Sequence, residues 1–319
     1  MDAPSGQPPS NSPGNSSSSS PAAAALLREA ALRLRAIEAG NPRLEAEYLL
    51  AAACGCERID LFRRAADESV PTAALAAFER LLARRLQREP LQYVLGTVPF
   101  CGLDLVIGPG ALIPRSETEI LVEELARRLA ADGPIEPVVP ESGIAPPLLI
   151  DVGTGSGAIL LAALARLPGW WGIGVDRSAA ALRWARENRD RLAGRERADL
   201  LHGDLLAAVR DGSATAVISN PPYIRSAELP QLAPEIRDCE PHAALDGGAD
   251  GLEVVRRLLP EAARVLRGGG WLGLELAPDQ PERVAELLVA SSRFEAVELF
   301  RDLAGRWRGV FARRGGLRR

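Results

Sequence analysis

Asn220, Pro221, Pro222 and Tyr223 stand directly after Ala216-Val217-Ile218, a small or branched apolar run of the kind that forms a buried strand. Neither proline has an N–H to donate, so together they end a central strand and stiffen the backbone beyond it. The Asn220 side-chain oxygen and the Pro221 carbonyl then become two fixed acceptors. Two fixed acceptors match the two N–H groups of a planar –NH₂, and Tyr223 offers an aromatic face to the group that carries it. This arrangement suits methyl transfer to an amide or ring-amino nitrogen. Such a nitrogen is a poor nucleophile because its lone pair is conjugated. Holding both hydrogens aims the lone pair and favours the charge that develops as the new bond forms. The scheme requires neither a metal nor a general base. The plain alternative is an ordinary turn.

Three further motifs point to the other reactant. Asp151-Val152-Gly153-Thr154-Gly155-Ser156-Gly157 follows one strand and opens a helix, and its glycines allow a tight turn and close approach to a ligand. The loop lacks the Gly-Lys-Ser/Thr ending of a P-loop. It also departs from the dinucleotide spacing unless Ala158 takes the last place. Asp176 ends the next strand, where a carboxylate can accept hydrogen bonds from both hydroxyls of a ribose, or serve the following helix as a cap. Asp204, after His202-Gly203, could meet an adenine amino group with Leu205 against the ring; a plain loop aspartate is the alternative. Together these residues imply an adenosine-bearing ligand. The amide clamp at 220–223 decides for S-adenosylmethionine as methyl donor over a nicotinamide dinucleotide.

The elements that must position these residues are legible as a pattern. From residue 148 strands and helices alternate, the signature of a mostly parallel α/β sheet with helices on both faces. In such a sheet, ligands gather at the carboxyl ends of the strands, near the switch in strand order. Residues 21–89 carry apolar residues at helical spacing, with one helix running to Gly40 and another starting at Asn41 and Pro42. They predict a small all-helical domain. Residues 90–115, rich in Pro, Gly and β-branched types, predict a linking β-hairpin and loop. Ser116 and Glu119 are spaced as a capping box for the next helix, and the catalytic domain runs over 116–319. A Pro-rich loop is expected around 133–147. Residues 1–20, dominated by Ser, Pro, Gly and Asn, predict a disordered tail.

Bulk composition bounds the rest. With 319 residues and 47% hydrophobic composition the chain can bury a large core. Its net charge of −4 gives no global attraction to nucleic acid. All 38 basic residues are Arg. Arg84, Arg85 and Arg88 could form a local patch, although a solvated helix face is the plainer reading. Cys54, Cys56, Cys101 and Cys239 have no zinc spacing and predict reduced thiols in a cytoplasmic setting. His202 and His242 cannot make a His-rich metal site, so no metal is expected. No apolar run reaches the ~18 residues of a membrane span.

The motifs in combination resemble those of class I S-adenosylmethionine-dependent methyltransferases of the N-methylating kind, with their Rossmann-like sheet. The stretch from Arg88 to Glu123, including "ALIPRSETE", and the downstream "EIRDCEPHAALDGGADGLEVVRRL" and "RDLAGRWRGV" are similar to the HemK-type glutamine methyltransferases of peptide chain release factors. The resemblance implies a helical first domain that recognises the release factor, and N5-methylation of the glutamine in its GGQ loop. It implies that Gly153, Thr154, Gly155, Ser156, Gly157 and Asp176 bind S-adenosylmethionine; Asp204 and Leu205, bordered by Asn220, join them on the strand-end reading above. Asn220, Pro221, Pro222 and Tyr223 would hold the glutamine amide, with Leu112, Pro114 and Arg115 lining the pocket beside it. The partner is then a protein, with no nucleic acid or membrane, and a monomer is expected.

Two positions depart from the family pattern. Its Arg-Pro-Glu-Thr-Glu has Ser116 in place of Pro, and related enzymes that methylate a ribosomal protein glutamine carry Arg-Ser here. The glycine expected after Glu275-Leu276 is Ala277, followed by Pro278, so that loop is open to reshaping and no catalytic role is assigned to Glu275. Three alternatives remain open: a ribosomal protein glutamine methyltransferase, a nucleic-acid N-methyltransferase, and a non-catalytic S-adenosylmethionine-binding module.

Overall fold

A computed structural model describes residues 22–63, 69–133, 146–192 and 195–316. The Ser/Pro-rich tail and nearly all of the Pro-rich loop at 133–147 lie outside them. The chain divides into two compact units, Met1–Gln87 and Arg88–Arg319.

The first unit is helical: α1 (Ala23–Arg35), α2 (Pro42–Cys54), α3 (Arg58–Arg63) and α4 (Thr72–Leu86). Helix α2 begins as its sequence dictates, with the Asn41 side chain accepting the Leu44 N–H at 3.2 Å and Pro42 in the first turn. Helix α1 stops at Arg35 and does not run to Gly40. Glu38 takes the left-handed conformation (φ 56°). The Ala39 N–H then reaches back to the Leu34 carbonyl and closes the end without a glycine. Arg85 lies on no solvated face and contributes to no basic patch, because it is buried against Glu45 at 2.7 Å.

The second unit opens with a short helix that the composition did not announce, α5 (Leu91–Leu95), and then the hairpin β1 (Thr97–Phe100) and β2 (Leu103–Val106). Val98, Phe100, Leu105 and Ile107 are buried in the larger unit's core, so the hairpin is part of that unit. After α6 (Glu119–Ala131) come β3 (Leu148–Val152), α7 (Ala158–Arg166), β4 (Trp171–Asp176), α8 (Ala179–Arg191), β5 (Ala198–His202) and β6 (Ala214–Ser219). The chain continues with α9 (Pro234–Cys239), α10 (Glu253–Val265), β7 (Leu266–Glu275), α11 (Pro281–Ala290), β8 (Phe294–Arg301) and β9 (Trp307–Arg314).

Seven strands form one sheet in the order β5-β4-β3-β6-β7-β9-β8, and within it β9 alone runs against the others. Side chains alternate between two cores. Leu149 and Ile218 face the one that also holds residues of α6, α7 and the hairpin. Ile150, Val152 and Val217 face the one that holds residues of α10 and α11. Strand β6 is buried along its whole length, which explains its unbroken apolar run. The order reverses between β3 and β6, so their carboxyl ends bound the crevice where such sheets bind ligands.

Ser116 and Glu119 do not form a capping box. Residues Ser116–Thr118 make a 3₁₀ turn, and the Ser116 hydroxyl donates to Glu117 at 3.1 Å. Glu119 is engaged elsewhere, accepting the Cys101 N–H of the hairpin turn at 3.0 Å.

Candidate active site

The register brings Val152, Val175, Ser219 and Leu274 side by side at the carboxyl end of the sheet. The Ser219 hydroxyl donates to the Val152 carbonyl at 2.7 Å and ties β6 to β3 at the switch point. The glycine loop leaves β3 and the Asn-Pro-Pro-Tyr corner leaves β6, so both motifs open into the same crevice.

The glycine loop is held from below and from the side. Asp151 is fully buried and accepts the Thr154 hydroxyl at 2.7 Å and the Leu160 N–H at 3.1 Å. Burial pushes its carboxyl up to about 7 against those two hydrogen bonds. From the side, Asp176 accepts the Gly155 N–H at 2.8 Å and the Ser178 N–H at 2.8 Å. Helix α8 is capped by Ser178, whose side chain accepts from Ala181.

Above the loop is a cleft of about 920 Å³, open to solvent, lined by Gly153, Gly155, Asp176, Asp204, Leu205, Asn220 and both prolines, 221 and 222. A Cβ built on Gly153 meets nothing within 4 Å, and one on Gly155 meets only the Gly153 carbonyl at 3.9 Å. Both glycines have positive φ, 72° and 58°. They therefore face open space that a side chain would fill, as a cradle for a ligand requires. Thr154 and Ser156 turn inward, buried, and Gly157 packs on Ala185; none of the three lines the cleft. Asp204 stands at the rim with its carboxylate on Arg257 at 2.5 Å.

A second cavity of about 530 Å³ adjoins the first. Leu112, Arg115, Tyr223 and the apolar side chains of Ile224, Leu232, Ile236 and Leu245 line it. Leu112, Asn220 and Ala244 border both cavities. Pro114, expected beside them, lines neither. Burial and then the Glu275 charge push the Tyr223 phenol up to about 12, so it stays protonated at ordinary pH.

The corner itself is rigid. Asn220 Nδ2 donates to Thr118 Oγ1 at 3.2 Å. Ile224 donates to the Leu245 carbonyl at 3.0 Å and accepts from Gly247 at 2.8 Å. Gln280 Nε2 donates to the Tyr223 carbonyl at 2.9 Å. Gln280 also closes the Ala277-Pro278 turn, accepting the Ala277 N–H at 3.1 Å. Ala277 is not among the residues with positive φ, so this turn needs no glycine. The departure from the family pattern thus leaves a closed turn that still braces the corner.

Several site residues gave no sequence signal. Glu240, buried, accepts the Ile113 N–H at 3.1 Å and pairs with Arg115, joining the 111–115 loop to the 234–245 segment. The Asn188 side chain bridges both backbone groups of Val106 and the Ser156 carbonyl, at 2.7–2.9 Å. Tyr93 of α5 donates to the Ala111 carbonyl. Each contact joins segments far apart in the chain, which local pattern cannot reveal. Among the described residues, no group of three or more His, Cys, Asp or Glu side chains is arranged to hold a metal ion, and no helix is long and apolar enough to cross a membrane.

Comparison with known proteins gives a consistent picture. Residues 25–96 match the PrmC N-terminal domain, and residues 144–236 match the methyltransferase small domain. A release factor glutamine methyltransferase of Geobacter sulfurreducens is 43% identical over 76% of this chain and 80% of its own. One from Moorella thermoacetica is 42% identical over 90% of this chain and 97% of its own. The human MTRF1L release factor glutamine methyltransferase is 37% identical over 86% and 82%. Among solved structures, the hMettl16 catalytic domain in complex with the MAT2A 3′UTR hairpin 6 superposes with a TM-score of 0.51 at 17% identity, covering 74% of this chain and 81% of that one. At that identity the likeness speaks for the fold alone, a methyltransferase sheet with helices on both faces.

Proposed function

Since the chain belongs to the release factor glutamine methyltransferase family, we propose in detail how its residues methylate the N5 amide nitrogen of the glutamine in the GGQ motif of peptide chain release factors. S-adenosylmethionine is the methyl donor, and when bound it supplies an electrophilic methyl on a sulfonium centre. Its adenosine part occupies the cleft above the glycine loop, with Gly153 and Gly155 as the close backbone floor. Asp176 stands at the strand end to take the ribose hydroxyls, and Leu205 stands beside the base. Asp204, engaged by Arg257, acts at the rim.

The glutamine side chain enters the second cavity. At the border of the two cavities, Asn220 Oδ1 and the carbonyl of Pro221, a residue of the first cleft, accept its two amide hydrogens. Tyr223 packs on the amide plane, and Leu112 covers the methylene stem. With both hydrogens held, the nitrogen lone pair has one direction left, toward the neighbouring cleft. The acceptors also favour the positive charge that grows on the nitrogen, which gives up one of its two hydrogens as a proton to solvent once it carries the methyl. The observation that carries this reading is that Asn220 borders both cavities. The helical first unit, matched by the PrmC N-terminal domain, serves to recognise the release factor. Ser116 does not move the substrate to a ribosomal protein, because the named relatives that match over most of the chain are release factor enzymes.

The test is mass spectrometry of tryptic peptides from release factors and from ribosomal protein after incubation with enzyme and S-adenosylmethionine. One added methyl on the GGQ glutamine is expected, lost by about 10²-fold in turnover with Asn220→Ala while cofactor affinity is nearly kept. Wild-type turnover in that variant removes the amide clamp. Methylation of the ribosomal protein alone moves the enzyme to that substrate.

A further inference from the structure

Beneath the amide pocket lie two side chains that the methyl-transfer scheme leaves without a task. Thr118, buried, receives the Asn220 amide group through its Oγ1 at 3.2 Å. The same hydroxyl faces the Glu275 carboxyl at the end of β7 and pulls its titration down. Glu275 is 1% exposed, and its Oε2 has no partner among the described residues. We infer that Thr118 and Glu275 are positioning residues that hold Asn220 with its NH₂ toward the protein and its oxygen toward the substrate amide. This inference rests on the reading of Asn220 Oδ1 as an acceptor.

The logic is one of donors and acceptors. A carboxylate only accepts, and a threonine hydroxyl has one proton to give. When Glu275 is ionised, the Thr118 proton goes to it. Thr118 then has only lone pairs left for Asn220, and only the NH₂ end of Asn220 can meet them. The two ends of an asparagine amide are nearly the same shape, so packing alone does not choose between them. Flipped, Asn220 would set its own NH₂ against the NH₂ of the substrate. When Glu275 is protonated it can donate to Thr118, whose hydroxyl is then free to donate to Asn220, and the flipped state becomes permitted.

The protonation of Glu275 therefore matters at working pH. The groups around it are Thr118 and Glu117 from the 3₁₀ turn, Arg308 from β9, Arg115, and the Tyr223 phenol. Burial pushes the Glu275 carboxyl up to about 7; Thr118, Arg308 and Arg115 pull it down and Glu117 pushes it up. Turnover should rise with pH through that range as the carboxylate forms.

The test is steady-state methylation of a release factor by the full-length enzyme between pH 6 and 9, with S-adenosylmethionine affinity by calorimetry and thermal unfolding alongside. Thr118→Val is expected to lower kcat by roughly 10- to 100-fold at unchanged cofactor affinity, with Thr118→Ser restoring most of it. Glu275→Gln is expected to lower kcat and abolish the rise near pH 7. A wild-type kcat in Thr118→Val, or an unchanged pH profile in Glu275→Gln, overturns the inference, and the second measurement stands even if the valine variant does not fold. Asn220→Ala separates the two levels. If it is inactive while Thr118→Val and Glu275→Gln behave as wild type, the positioning role alone fails; if it keeps full turnover, the acceptor reading fails as well.

Discussion

Asp176 accepts the Gly155 N–H through one carboxylate oxygen and the Ser178 N–H through the other, each at 2.8 Å. The same side chain thus braces the glycine loop and the start of α8 while it borders the cofactor cleft. Asp176→Ala removes both the ribose acceptor and the brace. The expected loss in S-adenosylmethionine affinity is about 1.5–3 kcal/mol, the range for hydrogen bonds to a charged group. Asp176→Asn keeps one acceptor and should lose less. Calorimetry reads both, and unchanged affinity in the alanine variant would show that the ribose lies elsewhere.

Gly251 tests the rigidity of the corner. Its φ is 77°, and a Cβ there would lie 2.4 Å from the Tyr223 carbonyl and 2.4 Å from Gln280 Nε2. Gly251→Ala must therefore displace Tyr223 or Gln280. A stability loss of about 1–3 kcal/mol is expected from overpacking, with a fall in kcat larger than the change in cofactor affinity. Gly212 supplies the control: φ is 60° but nothing lies within 4 Å of its Cβ. Gly212→Ala carries only the left-handed strain of about 1–2 kcal/mol and should leave kcat alone. Equal effects of the two variants on kcat would mean that close packing at Gly251 does not hold the corner.

The contrast between Asn220 and Glu240 explains how much of this site was legible in sequence. Asn220, Gly153, Gly155 and Asp176 belong to contiguous motifs at strand ends, and the strand–helix alternation alone places strand ends together. Glu240 acts on Ile113 and Arg115 across more than a hundred residues, and Thr118 and Glu275 meet only once β7 is placed beside β6. Such pairings depend on strand order, which periodicity does not encode. Thr154 and Ser156 went the other way. They sit inside the motif, but the buried Asp151 draws the Thr154 hydroxyl inward, so membership of the motif did not mean contact with the cleft. The capping spacing of Ser116 and Glu119 failed for a similar reason, because the hairpin had already engaged Glu119.

Asp151 predicts a pH dependence of stability. Its carboxyl is raised from 3.8 to about 7, first by burial. A raised value means that the folded state holds the proton more tightly than the unfolded chain. The contribution is full below the unfolded value, near 4, and is lost as pH rises through about 7. At about 1.4 kcal/mol per unit the whole effect is about 4 kcal/mol at most. Asp151→Asn keeps an acceptor for Thr154 and Leu160 and has no charge to bury. Urea unfolding at pH 5 and pH 7.5 should therefore show wild type losing more stability than the variant over that interval. Parallel losses would mean that Asp151 ionises without penalty.

Glu240 predicts a change in substrate use that leaves the cofactor untouched. Its buried carboxylate joins the Ile113 N–H and the Arg115 guanidinium, and so fixes two walls of the amide pocket to each other. Glu240→Ala leaves Arg115 without its partner and Ile113 with an unmet N–H. Removing one member of a buried pair costs about 3–5 kcal/mol; Arg115 is partly exposed, so the lower end is expected here. Glu240→Gln keeps an acceptor for Ile113 but loses the ion pair, and should fall between alanine and wild type. Because neither Ile113, Arg115 nor Glu240 lines the cofactor cleft, S-adenosylmethionine affinity should hold in both variants. The KM for the release factor should rise, more in alanine than in glutamine. Cofactor affinity and release-factor KM shifting together in Glu240→Gln would mean that the two cavities are not independently built, and that Glu240 supports the crevice as a whole.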